Sequence, residues 1–271
     1  MFASVIIPTR TSAHLLHYTL LSLNLQYAPF DEFEVIVVDN ASTDGVRERV
    51  AAFPAHYPLR CTRLPRPVSM QQAFNHGVAK ARGEIIILLQ DHMLVSREFI
   101  GCHVQAHCRT ERLALLGGPC KRIYSVYFPS FLDRQQWECQ RWLEQFPQIK
   151  RPHTTTKVIP LLTEAQIASG MLFAIGLPSI QRGERRSGSS KRGEAVLPAA
   201  LSSEHLSLPR EAIAEVGLFH RPRTSLATAE KDLGRRLYRA GYRFEVADKL
   251  TLLYQEHPLL PPVDREQRRR T

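Results

Sequence analysis

Gln90, Asp91 and His92 set an amide, a carboxylate and an imidazole side by side, directly after the run Ile85-Ile86-Ile87-Leu88-Leu89. A carboxylate and an imidazole are competent ligands for a divalent cation, and an amide can hydrogen-bond a hydroxyl. Other polar clusters interrupt apolar runs in the same way. Thr9-Arg10-Thr11-Ser12 follows Ser4-Val5-Ile6-Ile7-Pro8, and Asp39-Asn40-Ala41-Ser42-Thr43-Asp44-Gly45 follows Phe33-Glu34-Val35-Ile36-Val37-Val38. Loops this rich in acceptors and hydroxyls suit the edge of a nucleobase and its ribose; the same residue types also start helices as capped turns.

The apolar runs are what must position these groups. Short stretches of β-branched and leucine residues, too brief for long helices, read as strands buried on both faces of a parallel sheet. Between them Leu15, Leu16, Thr19, Leu20 and Leu23 form the buried face of a helix that Thr11 or Ser12 can cap. Leu59-Arg60-Cys61-Thr62 reads as a further short strand, and a helix over 69–81 leads into the strand at 85–89. The order is βαβαβ, and in open α/β sheets ligands bind beyond the carboxyl ends of the strands. No Gly-x-Gly-x-x-Gly follows the first strand and no P-loop occurs, so phosphates need another means of neutralisation. Mg²⁺ or Mn²⁺ held by the 90–92 cluster would supply it, because these ions take oxygen ligands and bridge diphosphate oxygens.

The chain of 271 residues, 44% hydrophobic and 23% charged, has the composition of a soluble globular protein with one sizeable core. No apolar run approaches the roughly 18–20 residues of a spanning helix. Met1-Phe2-Ala3 runs straight into a strand without a basic region, so a cytoplasmic location is expected. The five cysteines, Cys61, Cys102, Cys108, Cys120 and Cys139, then read as reduced thiols. Cys102, His103, His107 and Cys108 lie close in sequence, yet on a helix the two cysteines diverge and no second pair follows, which favours ordinary helix residues over zinc. The net charge of +10 is concentrated in Arg182, Arg185, Arg186, Lys191 and Arg192 and in Arg265, Arg268, Arg269 and Arg270. These read as solvated loops. No nucleic-acid reading motif accompanies them, so no specific nucleic acid is expected, while peripheral contact with an anionic membrane stays open.

Ser-Val-Ile-Ile-Pro-Thr at 4–9, Glu-Val-Ile-Val-Val-Asp-Asn-Ala-Ser-Thr-Asp-Gly at 34–45 and Ala-Arg-Gly-Glu-Ile-Ile-Ile-Leu-Leu at 81–89 resemble family 2 glycosyltransferases. The resemblance implies an α/β fold of GT-A type, with a Rossmann-like, mostly parallel central sheet flanked by helices and a smaller acceptor-side sheet. It implies one domain over 1–260, with a nucleotide-sugar half to about 120, an acceptor and catalytic half beyond it, and a basic tail at 261–271. It further implies a nucleotide-diphosphate sugar donor, inversion at the anomeric carbon, and a glycan, lipid-linked or small-molecule acceptor. The sugar-nucleotide site would draw on Pro8, Thr9, Arg10, Asp39, Asn40, Ser42, Asp44, Asn75, Arg82, Gln90 and Asp91, and the metal on Asp91, His92 and His257. Where the family has Asp-x-Asp, this chain has Gln90-Asp91-His92: the first acid becomes an amide and the last an imidazole.

The second half is similar to two further family signatures. Ser207, Arg210, Val216, Gly217 and Phe219 match Asn-x-Ser, Arg and Val-Gly-Gly-Phe, with His205 at the asparagine position. Thr228 to Leu237 resembles Glu-Asp-x-Asp-Leu-Gly-x-Arg-Leu, which puts Ala229 and Glu230 at the two leading acids and implies Glu230 as general base. For Asp232, favourable charge in a first helical turn is the simpler use. Between these signatures Phe131, Leu132, Trp137, Trp142, Leu143 and Phe146 suggest one amphipathic helix, its tryptophans used for packing before sugar stacking. Residues 168–175 read as a strand, and 181–194 as a mobile basic loop that folds over a diphosphate, meets an anionic acceptor or serves as a spacer. Residues 242–246 and 250–254 read as two last strands. The missing acids at 90, 92 and 229 motivate a rival: a weakened relative that binds a nucleotide or glycan without turnover.

Overall fold

The computed structural model describes residues 1–118, 120–149, 151–152, 156–174, 201, 204–220 and 225–258; the basic tracts at 181–194 and 261–271 lie outside them. The first half runs β1 (Ala3–Thr9), α1 (Ala13–Leu23), β2 (Phe33–Asp39), α2 (Val46–Ala51), β3 (Leu59–Arg63), α3 (Met70–Val78), β4 (Ile85–Leu89), β5 (Met93–Val95), α4 (Phe99–Arg109) and β6 (Leu113–Gly117). The second runs β7 (Cys120–Ile123), β8 (Val126–Tyr127), α5 (Asp133–Gln145), β9 (Ile159–Pro160), α6 (Glu164–Ala168), α7 (Met171–Ala174), β10 (His205–Pro209), α8 (Arg210–Val216), α9 (Leu226–Arg239), β11 (Arg243–Ala247) and β12 (Leu252–Gln255).

The main sheet has seven strands in the order β11-β6-β10-β4-β1-β2-β3. β4, β1, β2 and β3 run parallel, as do β6 and β11, and β10 is antiparallel to both its neighbours. A smaller sheet of β5, β12 and β7 completes the GT-A-like pattern that the resemblance implied. The strands are apolar on both faces because both are covered. Val5, Ile7, Val35, Val37, Ile87 and Leu89 pack toward α1, Phe99 and Ile100 of α4, and the small sheet. Ile6, Ile36, Val38, Ile86 and Leu88, with Leu206 and Leu208, pack toward α3, α8 and α9. α3 lies so close that a Cβ on its Gly77 would come within 2.3 Å of the Ile6 side chain, so glycine is required there.

A third cluster surrounds α5. Trp142 is fully buried in it with Leu15, Tyr18, Leu94 and Leu253, which makes it a packing residue. Trp137 is exposed on the opposite face under the Arg141 guanidinium, 5.0 Å from the ring centroid. The expected strand at 168–175 is instead helical over its described part. Thr163 starts α6 with a capping box, and Gly170 at φ +69° separates α6 from α7. Ile167 and Leu172, one on each short helix, turn into the same cluster, a contact that a strand's alternation would have lost. Among the described residues no helix is long and apolar enough to cross a membrane.

Candidate functional site

Because β1, β2 and β4 are parallel and in register, Thr9, Asp39 and Gln90 reach the same carboxyl edge. Thr9 is fully buried and its Oγ1 has no hydrogen-bond partner. Pro8 is buried inside β1, whereas Arg10 is exposed at the edge. Asp39 Oδ1 accepts the Ser42 amide at 2.8 Å, and Oδ2 pairs with Arg63 Nη1 at 3.0 Å. Arg63 is a partner that sequence reading missed, although Asp39 and Arg63 are paired residues on adjacent strands. Ser42 Oγ accepts the Thr11 amide at 3.2 Å, and Asp44 Oδ2 accepts the Ala13 amide at 2.8 Å.

Asp44, rather than Thr11 or Ser12, therefore satisfies the start of α1: Ser12 makes no side-chain cap, and Thr11 adopts φ +56° in the tight loop. The second oxygen of Asp44 is buried and unpartnered. Asn40 is fully spent, since its amide exchanges bonds of 2.9 and 2.8 Å with the Val68 backbone. Asn75 is spent likewise on the Phe219 backbone, joining α3 to the segment after α8.

Arg82 does not join this edge. It precedes β4, and its amide is fixed at the amino ends of β1 and β2 by Glu34 Oε1 at 2.8 Å and Ser4 Oγ at 3.2 Å. The length of β4, about 3.3 Å per residue, separates it from Gln90. The Ala-Arg-Gly stretch is thus a structural lock in which Ser4 and Glu34 hold the entry to β4.

Gln90 to Met93 forms a turn closed by the Met93 amide on the Gln90 carbonyl at 3.2 Å. Asp91 and His92 are both buried in it, and His92 Nδ1 donates to Asp91 Oδ1 at 3.1 Å. That pairing puts the ring proton on Nδ1 and leaves the lone pair on Nε2, which is buried and has no partner. His257, just beyond β12, stacks tilted against His92 with centroids 4.6 Å apart, and Tyr254 meets the His92 ring edge-on at 4.6 Å. Burial, with the neighbouring His92, holds the His257 imidazole below its ordinary pKa, so it stays neutral and can act as a ligand. Among the described residues no three His, Cys, Asp or Glu side chains converge to hold a metal ion by themselves. The orphaned Nε2 of His92 fits a divalent cation that draws most of its ligands from a nucleotide diphosphate.

A buried bracket, unseen in the sequence, joins the two histidine-bearing segments. Gln255 is fully buried; its Oε1 accepts Ser125 Oγ at 2.6 Å, and its Nε2 donates to the Leu15 carbonyl at 3.1 Å and Thr19 Oγ1 at 3.2 Å. Thr19 Oγ1 in turn donates to the Asp91 carbonyl at 2.8 Å, and the Gln255 amide bonds the His92 carbonyl at 2.9 Å. Gln135 of α5 holds the His257 carbonyl at 2.9 Å, and Glu256 pairs with Arg122. The only sequence signal was a glutamine directly after an apolar strand.

Glu230 lies in the second turn of α9 and is buried. Because α9 feeds β11, which runs parallel with β6 and hence with β4, its first turns lie at the carboxyl edge, where Gln90 also emerges. Asp232 neither caps nor lines this edge. Ser225 caps α9, and Asp232 pairs at 3.0 Å with Arg236, whose guanidinium holds the carbonyls of Val216, Gly217 and Leu218. His205 turns inward beneath Phe99, and Arg210 reaches the Gly83 carbonyl at 2.8 Å at the amino edge.

A family model described as "Glycosyl transferase family 2" matches residues 4–167. The chain belongs to this family. It is 31% identical over 265 residues to "Uncharacterized glycosyltransferase YfnE" of Bacillus subtilis (strain 168), an alignment covering 95% of this chain and 66% of that protein. It is 27% identical over 118 residues to "Validoxylamine A glucosyltransferase" of Streptomyces hygroscopicus subsp. jinggangensis (strain 5008), covering 43% of this chain and 28% of that protein. Among solved structures it resembles S. aureus TarS 1-349, with TM-score 0.64 and 17% identity over 94% of this chain and 60% of that one. The mannosyltransferase PcManGT from Pyrobaculum calidifontis, in complex with GDP-Man and Mn²⁺, has TM-score 0.57 and 16% identity over 98% of this chain and 59% of that one. These structures establish the GT-A fold for the family 2 chain, which spans about three-fifths of their length.

Proposed function

We propose that this family 2 member is an inverting glycosyltransferase that moves a sugar from a nucleotide-diphosphate sugar to an acceptor hydroxyl. The observation that carries the reading is the buried, unsatisfied Nε2 of His92 beside His257, at the edge where Thr9 and Asp39 also end. Thr9, Asp39, Ser42 and Asp44 hold the nucleoside, with Arg10 and Gln90 at the rim. Asp91 orients His92, and His92 with His257 faces the diphosphate. A divalent cation bound there would offset the charge that develops on the departing diphosphate. Glu230 takes the proton of the acceptor hydroxyl as that oxygen attacks the anomeric carbon. The complexes of relatives with UDP-GlcNAc and with GDP-Man and Mn²⁺ support the donor and metal classes.

The test is Glu230→Gln, assayed by release of nucleoside diphosphate from a panel of donors with Mn²⁺. Turnover should fall at least about a hundredfold with donor affinity little changed, as expected for loss of a general base. Retention of wild-type turnover would remove Glu230 from this role, and retention of anomeric configuration by NMR would remove inversion. A binding-only reading draws on the absence of a complete metal-ligand set among the described residues. Donor turnover above the uncatalysed rate would dispose of it.

A further inference from the structure

α1 separates two polar environments. On one side Thr19 and the Leu15 carbonyl serve the Asp91 turn and Gln255. On another, His14, His17 and Tyr18 line a cavity of about 500 Å³ that Arg49 of α2 and the segment 157–164 complete. This volume lies in the range of small-molecule sites. The lining carries more positive than negative charge. Its one carboxylate, Glu164, is taken by His17 Nε2 at 2.6 Å. Within the described residues the exposed side chains of Arg49 and Lys157 make no hydrogen bond or ion pair, so two positive charges line the recess beside its single carboxylate.

His14 adds a neutral imidazole, because burial and the adjacent Arg49 lower its proton affinity more than Asp44 raises it. The apolar part of the lining is formed chiefly by Val158, Ile159 and Leu162. Val158 is more than one-third exposed, which a core position would not leave.

We propose that this cavity is a second anion site, separate from the position of the donor diphosphate, which takes a phosphate group carried by a less polar body such as a sugar. A guanidinium, an ammonium and imidazole N–H groups around one recess match a dianion with three acceptor oxygens better than a carboxylate, which offers two oxygens and one charge. The recess opens on a different face of α1 from Thr19 and the Leu15 carbonyl, which serve the Asp91 turn and Gln255. None of its cations belongs to the residues assigned to donor, metal or base, so the inference stands whether or not the transfer reading does.

Calorimetric titration of the full chain tests it, with inorganic phosphate and dimethyl phosphate as probes and chloride holding the ionic strength constant. Wild type should bind inorganic phosphate saturably, in about the millimolar range expected of exposed ion pairs, and the double variant Arg49→Gln/Lys157→Gln should bind it about tenfold more weakly. UDP or GDP binding should be the same in both proteins, and the charge-preserving Arg49→Lys should retain phosphate binding. Binding of dimethyl phosphate as well assigns the site to phosphodiesters; binding of inorganic phosphate alone assigns it to phosphomonoesters. The proposal is overturned if wild type does not bind phosphate, if the double variant at unchanged melting temperature binds it equally well, or if UDP or GDP displaces it. Phosphate binding without any nucleotide binding would count against the transfer reading alone.

Discussion

Acidification from about pH 7.5 to about pH 5 should destabilise the protein through three histidines that lie inside the fold. His103 and His107 of α4 both hydrogen-bond Ser207 Oγ, at 2.7 and 2.8 Å, and His103 Nε2 also meets His205 Nε2. The serine has one proton to give, so one ring donates to it and the other accepts, and each neutral imidazole fits this ordered chain with its single proton. Among the described residues no carboxylate acts on these rings to favour an added proton. Burial accordingly pushes His107 down to about 4 and His205 to about 3, and His103, fully enclosed, is lowered as well.

The folded state thus refuses protons that the unfolded chain accepts below about 6.5, and stability is lost as the pH falls through that value toward the folded pKa values. At about pH 5 each such histidine costs about 2 kcal/mol, so His107 and His205 together cost about 4 kcal/mol, with His103 acting in the same direction. That is a large share of the roughly 5–15 kcal/mol that keeps a domain folded. Urea denaturation of wild type and His107→Gln at both pH values isolates the effect, because the acid response of the carboxylates is common to both proteins. The variant should lose about 2 kcal/mol less than wild type on acidification. Equal losses would show that His107 titrates normally in the folded protein, and the neutral-chain argument would fail.

Two other changes test the scaffold of the candidate site. Gln255→Leu leaves the buried Ser125 hydroxyl without its acceptor and cuts the links to the Leu15 carbonyl and to Thr19, which keep other partners; it should cost about 1–3 kcal/mol in urea denaturation and weaken the dependence of donor turnover on Mn²⁺, and a stability within about 0.5 kcal/mol of wild type would remove the bracket. Asp44→Ala removes the acceptor from the Ala13 amide and should cost about 1 kcal/mol of stability, whereas Ser12→Ala should cost almost nothing; the reverse order would restore Ser12 as the cap of α1.

The elements of the first half were legible because their signals are local. The continuous apolar runs of β1, β2 and β4 are too short for long helices and each breaks into a polar loop, and parallel topology brings Thr9, Asp39 and Gln90 to one edge. What the sequence hid depends on long-range contacts. The Arg82 amide belongs to Glu34 at the amino edge, and Asn40 and Asn75 are consumed by the backbones of Val68 and Phe219; side-chain type announces none of this. The strand expected at 168–175 is helical over its described part because short apolar runs carry no clear period, and Gly170 divides α6 from α7. Gln255 escaped notice because a buried amide looks, in sequence, like a polar residue at a strand end.

The two histidine groups show how the same residue type divides between structure and chemistry. In the core, His103 and His107 both hydrogen-bond Ser207, and His205 Nδ1, buried without a partner among the described residues, lies where a Cβ on Gly117 would come within 2.8 Å of it. At the carboxyl edge the open nitrogen is His92 Nε2, set in a turn whose partner Asp91 fixes the ring and whose neighbour His257 is kept neutral. Replacing the family's last acid by this imidazole removes a negative charge from the edge, which lowers attraction for a bare cation. The same change leaves an imidazole whose ring is oriented in advance, which would suit a metal that arrives with the diphosphate. The departure from Asp-x-Asp is therefore consistent with turnover so long as Gln255 and Thr19 keep the two segments in register, and the bracket bears on the chemistry as directly as the residues it holds.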